Sequence, residues 1–308
     1  MSDLFGRRAI LEVGKAGTDG LRIEEAGAEA SLRISFEVTK TAQSDSNKAV
    51  VQVYNLARAS RERFARHDIV RLQVGYSGVM ELAYEGEVTR ARNERVGAEV
   101  VSTLECGDGV EAFQAQTIEK TFAAGATVSA VVLAVAKRFE TAVPDREASA
   151  VSFAPHASRK TKASRLSLRN LPADLAVLER SLKAQGFATV LRRAMSVSGS
   201  AREVMDRLAR MWRFDWSVQD GAVQVVAYGE TLVGQAVLLS PSTGLLAVPI
   251  ITDIGVRVRA LLIPYVRPGS MLQVESDTVT GSFRTETVRL QGDTRGGPWE
   301  LEAEARSL

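Results

Sequence analysis

The chain has 308 residues, 45% of them apolar and 25% charged, which is long enough for about two domains and apolar enough to exclude global disorder. Its 39 basic and 37 acidic residues leave a formal charge of only +2, too balanced for a chain devoted to nucleic acid or to a membrane surface. One cysteine excludes an intrachain disulfide, and two histidines leave any cysteine–histidine metal site poor in ligands.

The N-terminal Met1-Ser2-Asp3-Leu4-Phe5-Gly6-Arg7-Arg8 carries its charges without a following apolar stretch, so no signal peptide is expected. The longest apolar runs, Ala130 to Ala136 and Leu245 to Ile251, fall far short of the ~20 residues that cross a bilayer. A soluble, cytoplasmically made protein is expected. Residues 1–108 then read as β structure. Leu32, Ile34, Phe36 and Val38 alternate with polar neighbours, as do Val70, Leu72 and Val74, and again Ala98, Val100, Ser102, Leu104 and Cys106. Turn clusters separate them at Gly17–Gly20, Ser44–Asn47, Gly75–Gly78 and Gly107–Gly109, and one short helix is predicted over Ala57–Arg66.

Residues 109–230 change character. Thr127 is placed to cap a helix near 128–139 whose face is Val128, Val131, Val132 and Val135. A second helix is predicted near 171–185, with Pro172 in its first turn, Leu175, Leu178 and Leu182 as its stripe, and Gly186 past its end. A third, near 201–212, opens on the capping box Ser200-Ala-Arg-Glu203 and carries Val204, Leu208, Met211 and Trp212. Leu208-Ala209 to Arg213-Phe214 echoes Leu133-Ala134 to Arg138-Phe139 at a separation of 75, which reads as two related α/β elements. A hairpin over 214–226 turns at Asp220-Gly221, the strongest short hairpin signal. Residues 231–308 return to β, with Met271–Glu275, Phe283–Leu290, and Trp299, Leu301, Ala303 and Ala305 alternating with glutamates.

The chemistry of catalysis is thinly supplied. Cys106 shares a face with Val100 and Leu104 and reads as a buried structural thiol. A serine triad would need His67 or His156, and neither is accompanied by a Gly-x-Ser-x-Gly elbow. Asp19, Asp45 and Asp220 are single turn carboxylates without calcium-loop spacing. Glu300, Glu302 and Glu304 read as the solvated face of a strand, although glycoside hydrolysis needs only two carboxylates. Gly292 to Gly297 precedes a strand pattern and not a helix, which argues against a phosphate-binding loop. The expected catalytic, cofactor-binding and metal-binding residues are therefore none. Arg159 to Arg213 holds thirteen basic and four acidic residues, a local +9 against −7 for the remainder. Either this face meets something acidic, or it is a solvated helical surface.

Six blocks in order carry a resemblance. Asn47 to Tyr54-Asn55-Leu56 is similar to the N-x-a-x-V-x-(I/V)-Y-N-L signature of tail hub (baseplate hub) proteins of long-tailed bacteriophages. Gly75-Tyr76 with Tyr84-Glu-Gly-Glu-Val88 resembles the next strand pair of that family, and Trp216 to Gly221 and Gln224 its W-S-x-Q-x-G-x-L-Q hairpin. Pro241, Thr243 and Gly244 lie in a block like S-P-x-T-G-L; Pro264, Arg267, Pro268 and Gly269 in one like L-L-N-P-x-x-x-P-G. Gly292-Asp293-Thr294-Arg-Gly296 with Trp299 resembles the closing G-D-T-x-G-x-x-W. The chain departs from the family after Gly244, where Leu245-Leu246-Ala-Val-Pro249 replaces an apolar stretch ending in Ser-Pro-Glu, and over 155–190, which is longer than the usual connection.

The resemblance implies an α+β, mainly β chain. Two tail-tube-like antiparallel β-barrel domains, 1–108 and 231–308, would bracket an α/β insertion over 109–230. It implies a non-enzymatic virion component resembling the contractile-tail baseplate hub: a homotrimer joining a six-fold tail tube to a three-fold tip, without cofactors. Its partners would be further copies of itself, a distal tail or tail-tube protein, a central tip or spike protein and the tape measure protein, with DNA only in transit. Its place would be the virion tail tip, assembled in the host cytoplasm. Two alternatives stand beside this reading: a tail-tip peptidoglycan-binding or hydrolase module, and a nucleic-acid-binding protein using the basic segment 159–213.

Overall fold

In chain order the first strands are β1 (Arg7–Gly14), β2 (Leu21–Glu25), β3 (Ile34–Thr41) and β4 (Lys48–Tyr54). This is a computed structural model, and it describes residues 6–15, 20–25, 32–108, 116–140, 150–151, 161–162, 168, 170–232, 234 and 236–308. The turn signals at Gly17–Asp19 and Gly109, together with His156 and part of the basic segment, lie outside the described residues. One helical turn, α1 (Arg58–Arg61), leads to β5 (Ile69–Tyr76), the long β6 (Val79–Val96) and β7 (Glu99–Gly107). The helix expected over Ala57–Arg66 shrinks to four residues because none of them is buried and no side chain caps it.

The middle segment runs β8 (Thr117–Phe122), α2 (Val128–Glu140), β9 (Ala150–Val151), β10 (Thr161–Lys162), α3 (Leu171–Ala184), β11 (Met195–Ser200) and α4 (Ala201–Trp212). It closes with the hairpin β12 (Phe214–Gln219) and β13 (Ala222–Ala227). The last segment is β14 (Val237–Leu239), β15 (Ile250–Thr252), β16 (Gly255–Leu261), β17 (Met271–Glu275), β18 (Thr280–Asp293) and β19 (Trp299–Ser307).

The two outer segments share one 13-stranded, almost wholly antiparallel sheet, whose main path is β15-β16-β19-β18-β3-β4-β7-β6-β5-β1-β2. They meet where β18 pairs with β3, Leu290 opposite Val38 and Asp293 opposite Ser35. The two closed barrels expected from the sequence are not formed among the described residues, because β18 is shared. Its first half pairs with β17, its second half pairs with β3, and β19 lies along its other side past a bulge at Thr285/Thr287. With the β3 edge taken by β18, the sheet stays open, its main path ending at β15 and β2 and a branch through β17 ending at the parallel β14. Alternation puts Val38, Val51, Leu72, Leu104, Leu290 and Leu301 into one apolar cluster drawn from both outer segments.

A second cluster draws its members from Ile118 to Ala227. Thr127 caps α2 as expected, its Oγ1 accepting from the Ala130 N–H at 3.1 Å, and Val128, Val131, Val132 and Val135 are buried. On α3 the stripe of Leu175, Leu178 and Leu182 is buried, with Pro172 in the first turn. The capping box of α4 is not formed: Ser200 is still paired in β11, its hydroxyl makes no cap bond, and the Ala201 N–H donates to the Gln116 carbonyl at 2.8 Å. Met211 is also corrected, being 50% exposed. The buried face is Ala201, Val204, Met205, Leu208 and Trp212, and Met211 lies at its rim, about 20° beyond Val204 in the last turn, where it is left exposed. The two echoing sequences cover the last turns of α2 and α4, and the strands before those helices, β8 and β11, pair with Thr121 opposite Ser196.

Candidate functional site

The hairpin β12–β13 turns through two positive φ values, 50° at Asp220 and 71° at Gly221, the geometry of a type I′ turn. Its base belongs to the α/β cluster, where Trp216 stacks on Phe139 at 5.2 Å and donates its Nε1–H to Asp206 at 2.8 Å. Its tip belongs to the sheet. Lys40 on β3, only 2% exposed, donates from Nζ to both Asp220 oxygens at 2.6 and 2.7 Å, and the Glu85 N–H reaches Asp220 Oδ1 at 3.2 Å. Asn47 donates to the Val218 carbonyl at 2.7 Å and to Gln219, which in turn donates to the Thr41 carbonyl at 2.7 Å.

Further along this seam, Gln224 donates to the Pro268 carbonyl at 2.9 Å, and Arg284 on β18 donates to Asp215 on β12 at 2.5 Å. Gly269, at φ +88°, lies where a Cβ would come within 3.1 to 3.2 Å of Leu232, Gln224 and Val226, so the chain passes close there. Asp108 sits behind the tip with the Gly221 N–H directed at its Oδ2 from 3.5 Å. Burial, with the charge of Asp220 second, pushes its carboxyl up to about 8. Tyr84 is fully buried beside it, and burial raises its phenol well above the ordinary value.

The other motif positions gather elsewhere. At the closing turn Asp293 accepts from Arg33 through both oxygens, at 3.1 and 2.6 Å, while Arg33 lies 4.3 Å over the Tyr54 ring. Thr294 exchanges hydrogen bonds with Ile34, Gly296 takes φ +144°, and Trp299 meets Phe36 edge to face at 5.4 Å. A Cβ on Gly292 would stand 2.2 Å from the Phe36 ring. Asn55, at φ +57°, accepts from the Val100 N–H at 3.0 Å beside the buried Leu56. Gly75 leaves no room for a side chain against the Val79 carbonyl, and Tyr76 is buried. Pro264 and Arg267 stand in the turn before Gly269, where the Arg267 N–H donates to Ser270 Oγ at 3.2 Å.

Pro241, Thr243 and Gly244 form the turn that launches the outer edge of the sheet, Thr243 Oγ1 accepting from the Ser240 N–H at 2.8 Å. Beyond it Leu246, Val248, Ile250, Ile251 and Ile254 are all exposed, Val248 at 68% and Ile251 at 72%. Residues 233–252 contain no charged side chain. β15 pairs on one side only, with β16, so an uncharged apolar edge faces outward. The opposite edge is different: on β2, Arg22 and Glu24 pair with Glu12 and Arg8, each at 2.7 Å. The apolar run Leu245–Ile251 was visible in the sequence, but a run of that length reads equally well as a buried strand. Lys40 continues the inward phase of Ile34, Phe36 and Val38, which is the signal that could have found it; Glu85 and Asp108 gave none.

The candidate reactive groups lie apart from one another. Cys106 is buried and its thiol is pushed up to about 12 by burial, so it carries no thiolate at neutral pH. His67 is part-exposed with Nδ1 3.7 Å from Glu87. Asp45 pairs with Arg202, and Glu300, Glu302 and Glu304 pair with Arg257 and Arg259 along the sheet face. Among the described residues no three His, Cys, Asp or Glu side chains are grouped to hold a metal ion. Of the basic segment, Arg180, Lys183, Arg192, Arg193, Arg207, Arg210 and Arg213 are exposed.

No protein-family model matches the sequence, and no curated protein sequence does either. The fold has counterparts. A tail protein from Neisseria meningitidis MC58 is similar with a TM-score of 0.57 and 9% identity, over 98% of this chain and 97% of the other. The 43 kDa tail protein of prophage MuSo2 from Shewanella oneidensis is similar with a TM-score of 0.55 and 9% identity, over 98% of both chains. An Escherichia coli component of the type VI secretion system, itself described as structurally similar to T4 bacteriophage tail proteins gp27 and gp5, is similar with a TM-score of 0.54 and 9% identity, over 97% of this chain and 76% of the other. At this identity the likeness is one of fold, and the chain is built on the fold of phage tail proteins along its whole length.

Proposed function

We propose that this chain is a structural component of a phage-type tail, acting as its hub. Three copies would form a ring around the channel taken by tape measure and DNA, joining a six-fold tube to a three-fold tip. Each half of the shared sheet would be the counterpart of one tube-like barrel, so that three subunits present six such surfaces. The full-length fold likeness to tail proteins supports this reading, and so do the six motif blocks. The observation that carries the assembly is the uncharged edge at Leu246–Thr252, with Leu246, Val248, Ile250 and Ile251 exposed, an apolar edge of a kind that monomers usually blunt with charge.

A protein designed to stay single would be expected to protect that edge as β2 does. Sedimentation velocity of the purified chain is expected to give a trimer. Ile251→Glu is expected to sediment as a monomer with an unchanged thermal midpoint, because Ile251 lies outside both cores. A wild-type chain that remains monomeric at high concentration would refute the proposal.

A further inference from the structure

The two apolar clusters are distinct, and the ties named across the seam between them are hydrogen bonds and ion pairs. Around the hairpin tip the charges of the described residues can be counted. Lys40 from β3 and Arg71 from β5 face three carboxylates: Asp220 of the tip, Glu85 of β6 and Asp108 after β7. Lys40 is bonded to Asp220 and Arg71 to Glu85, the latter at 2.7 Å. Among the described residues no cation is bonded to Asp108, which is buried and feels Lys40 only at longer range. The other titratable groups facing the cluster are Tyr84 and Glu87 of β6 and Cys106 of β7; Tyr84 and Cys106 are uncharged at neutral pH, and Glu87 is turned toward His67. Two cations against three buried carboxylates balance only if one carboxyl keeps its proton.

We propose that a proton held on Asp108 latches the hairpin tip into the sheet, and that its loss opens the seam and frees the α/β body to move while both apolar cores stay folded. The direction of the pH dependence follows from proton binding in the two states. In the closed seam Asp108 keeps its proton up to about pH 8; once water reaches it, the carboxyl returns to its ordinary value of 3.8. The closed state therefore binds the proton more tightly between those limits. The opening constant rises about tenfold per pH unit across that interval and levels off above it. The seam is tighter in mild acid than at alkaline pH.

Hydrogen exchange of the full-length chain, followed by mass spectrometry from pH 5.5 to 9.5 and corrected for the intrinsic rate, tests the latch. Peptides covering Glu85 and Val218–Gly221 are expected to lose protection about tenfold per pH unit up to pH 8 and to hold steady beyond it. Peptides of β19 and α4 are expected to stay flat. Asp108→Asn, which has no proton to lose, is expected to abolish the slope at the seam. Seam protection independent of pH in the wild-type chain would overturn the proposal, as would loss of protection in the cores together with the seam. A slope retained in Asp108→Asn would also overturn it. The wild-type series decides the question by itself if the variant does not fold.

Discussion

Lys40 and Asp220 lie 180 residues apart in sequence and nearly out of reach of water, which makes them the tightest test of how the molecule is held. Lys40→Met would leave Asp220 buried without its cation, and removing one partner of such a pair costs about 3–5 kcal/mol. Urea unfolding of the variant is expected to show that loss. Adding Asp220→Asn is expected to restore a large part of it, since the uncompensated charge is then gone as well. An unchanged midpoint in the single variant would mean that water reaches the pair. The turn at Asp220-Gly221 was legible from its residues, because a type I′ turn demands positive φ and this dipeptide supplies it. Nothing in the local sequence told which surface the turn would enter. Lys40 is in phase with Ile34, Phe36 and Val38, so alternation turns it inward, but the strand does not name the carboxylate it meets; Asp108 follows β7 as one more turn carboxylate.

At the scale of elements, periodicity was a reliable guide wherever a single face decides burial. The helices at 128, 171 and 201 start where their stripes begin, and Ile34–Thr41 alternates buried and part-buried without a break. Caps were less legible because two structures can compete for one residue. Thr127 and Ser200 both precede a helix, yet only Thr127 caps; Ser200 is held by strand pairing instead. Thr127→Ala is expected to lower stability by about 1 kcal/mol, and Ser200→Ala by much less. Thermal melts of the two variants check this, and equal losses would mean that the Ser200 hydroxyl has a partner in solution. Barrel closure was not legible either. An alternating strand looks the same whichever neighbour it pairs with, so the pattern around Val38 and that around Leu290 did not disclose that β3 and β18 pair with each other.

The whole molecule has two apolar centres joined by a polar seam. Interfaces of this kind resemble those between domains that move, and their contribution falls with ionic strength. Unfolding is therefore expected to be separable. In a Trp212→Phe, Trp216→Phe variant, Trp299 reports on the sheet alone, while the far-ultraviolet helix signal reports on α2, α3 and α4. Their urea midpoints are expected to differ, and to move further apart in 0.5 M salt. Coincident transitions at every salt concentration would show that the seam couples the two centres into one cooperative unit. The basic residues gathered on α3 and α4 remain largely solvated in this arrangement, which suits a helical surface as well as it suits an acidic neighbour.

The shared strand β18 also has a consequence in time. Ile34 and Thr294 bond to each other across 260 residues of chain, so β3 cannot gain its partner β18 until the ribosome has delivered residues up to Thr294. Until then β3 offers a bare row of amides and carbonyls, and its own Val38, Phe36 and Ile34 lack their cover. Closing so long a loop is slow, and the waiting edge is a template for pairing with any nascent chain of the same kind. Synthesis of many copies at once would favour crowding at that edge, and the arrival of β18 is what ends the danger.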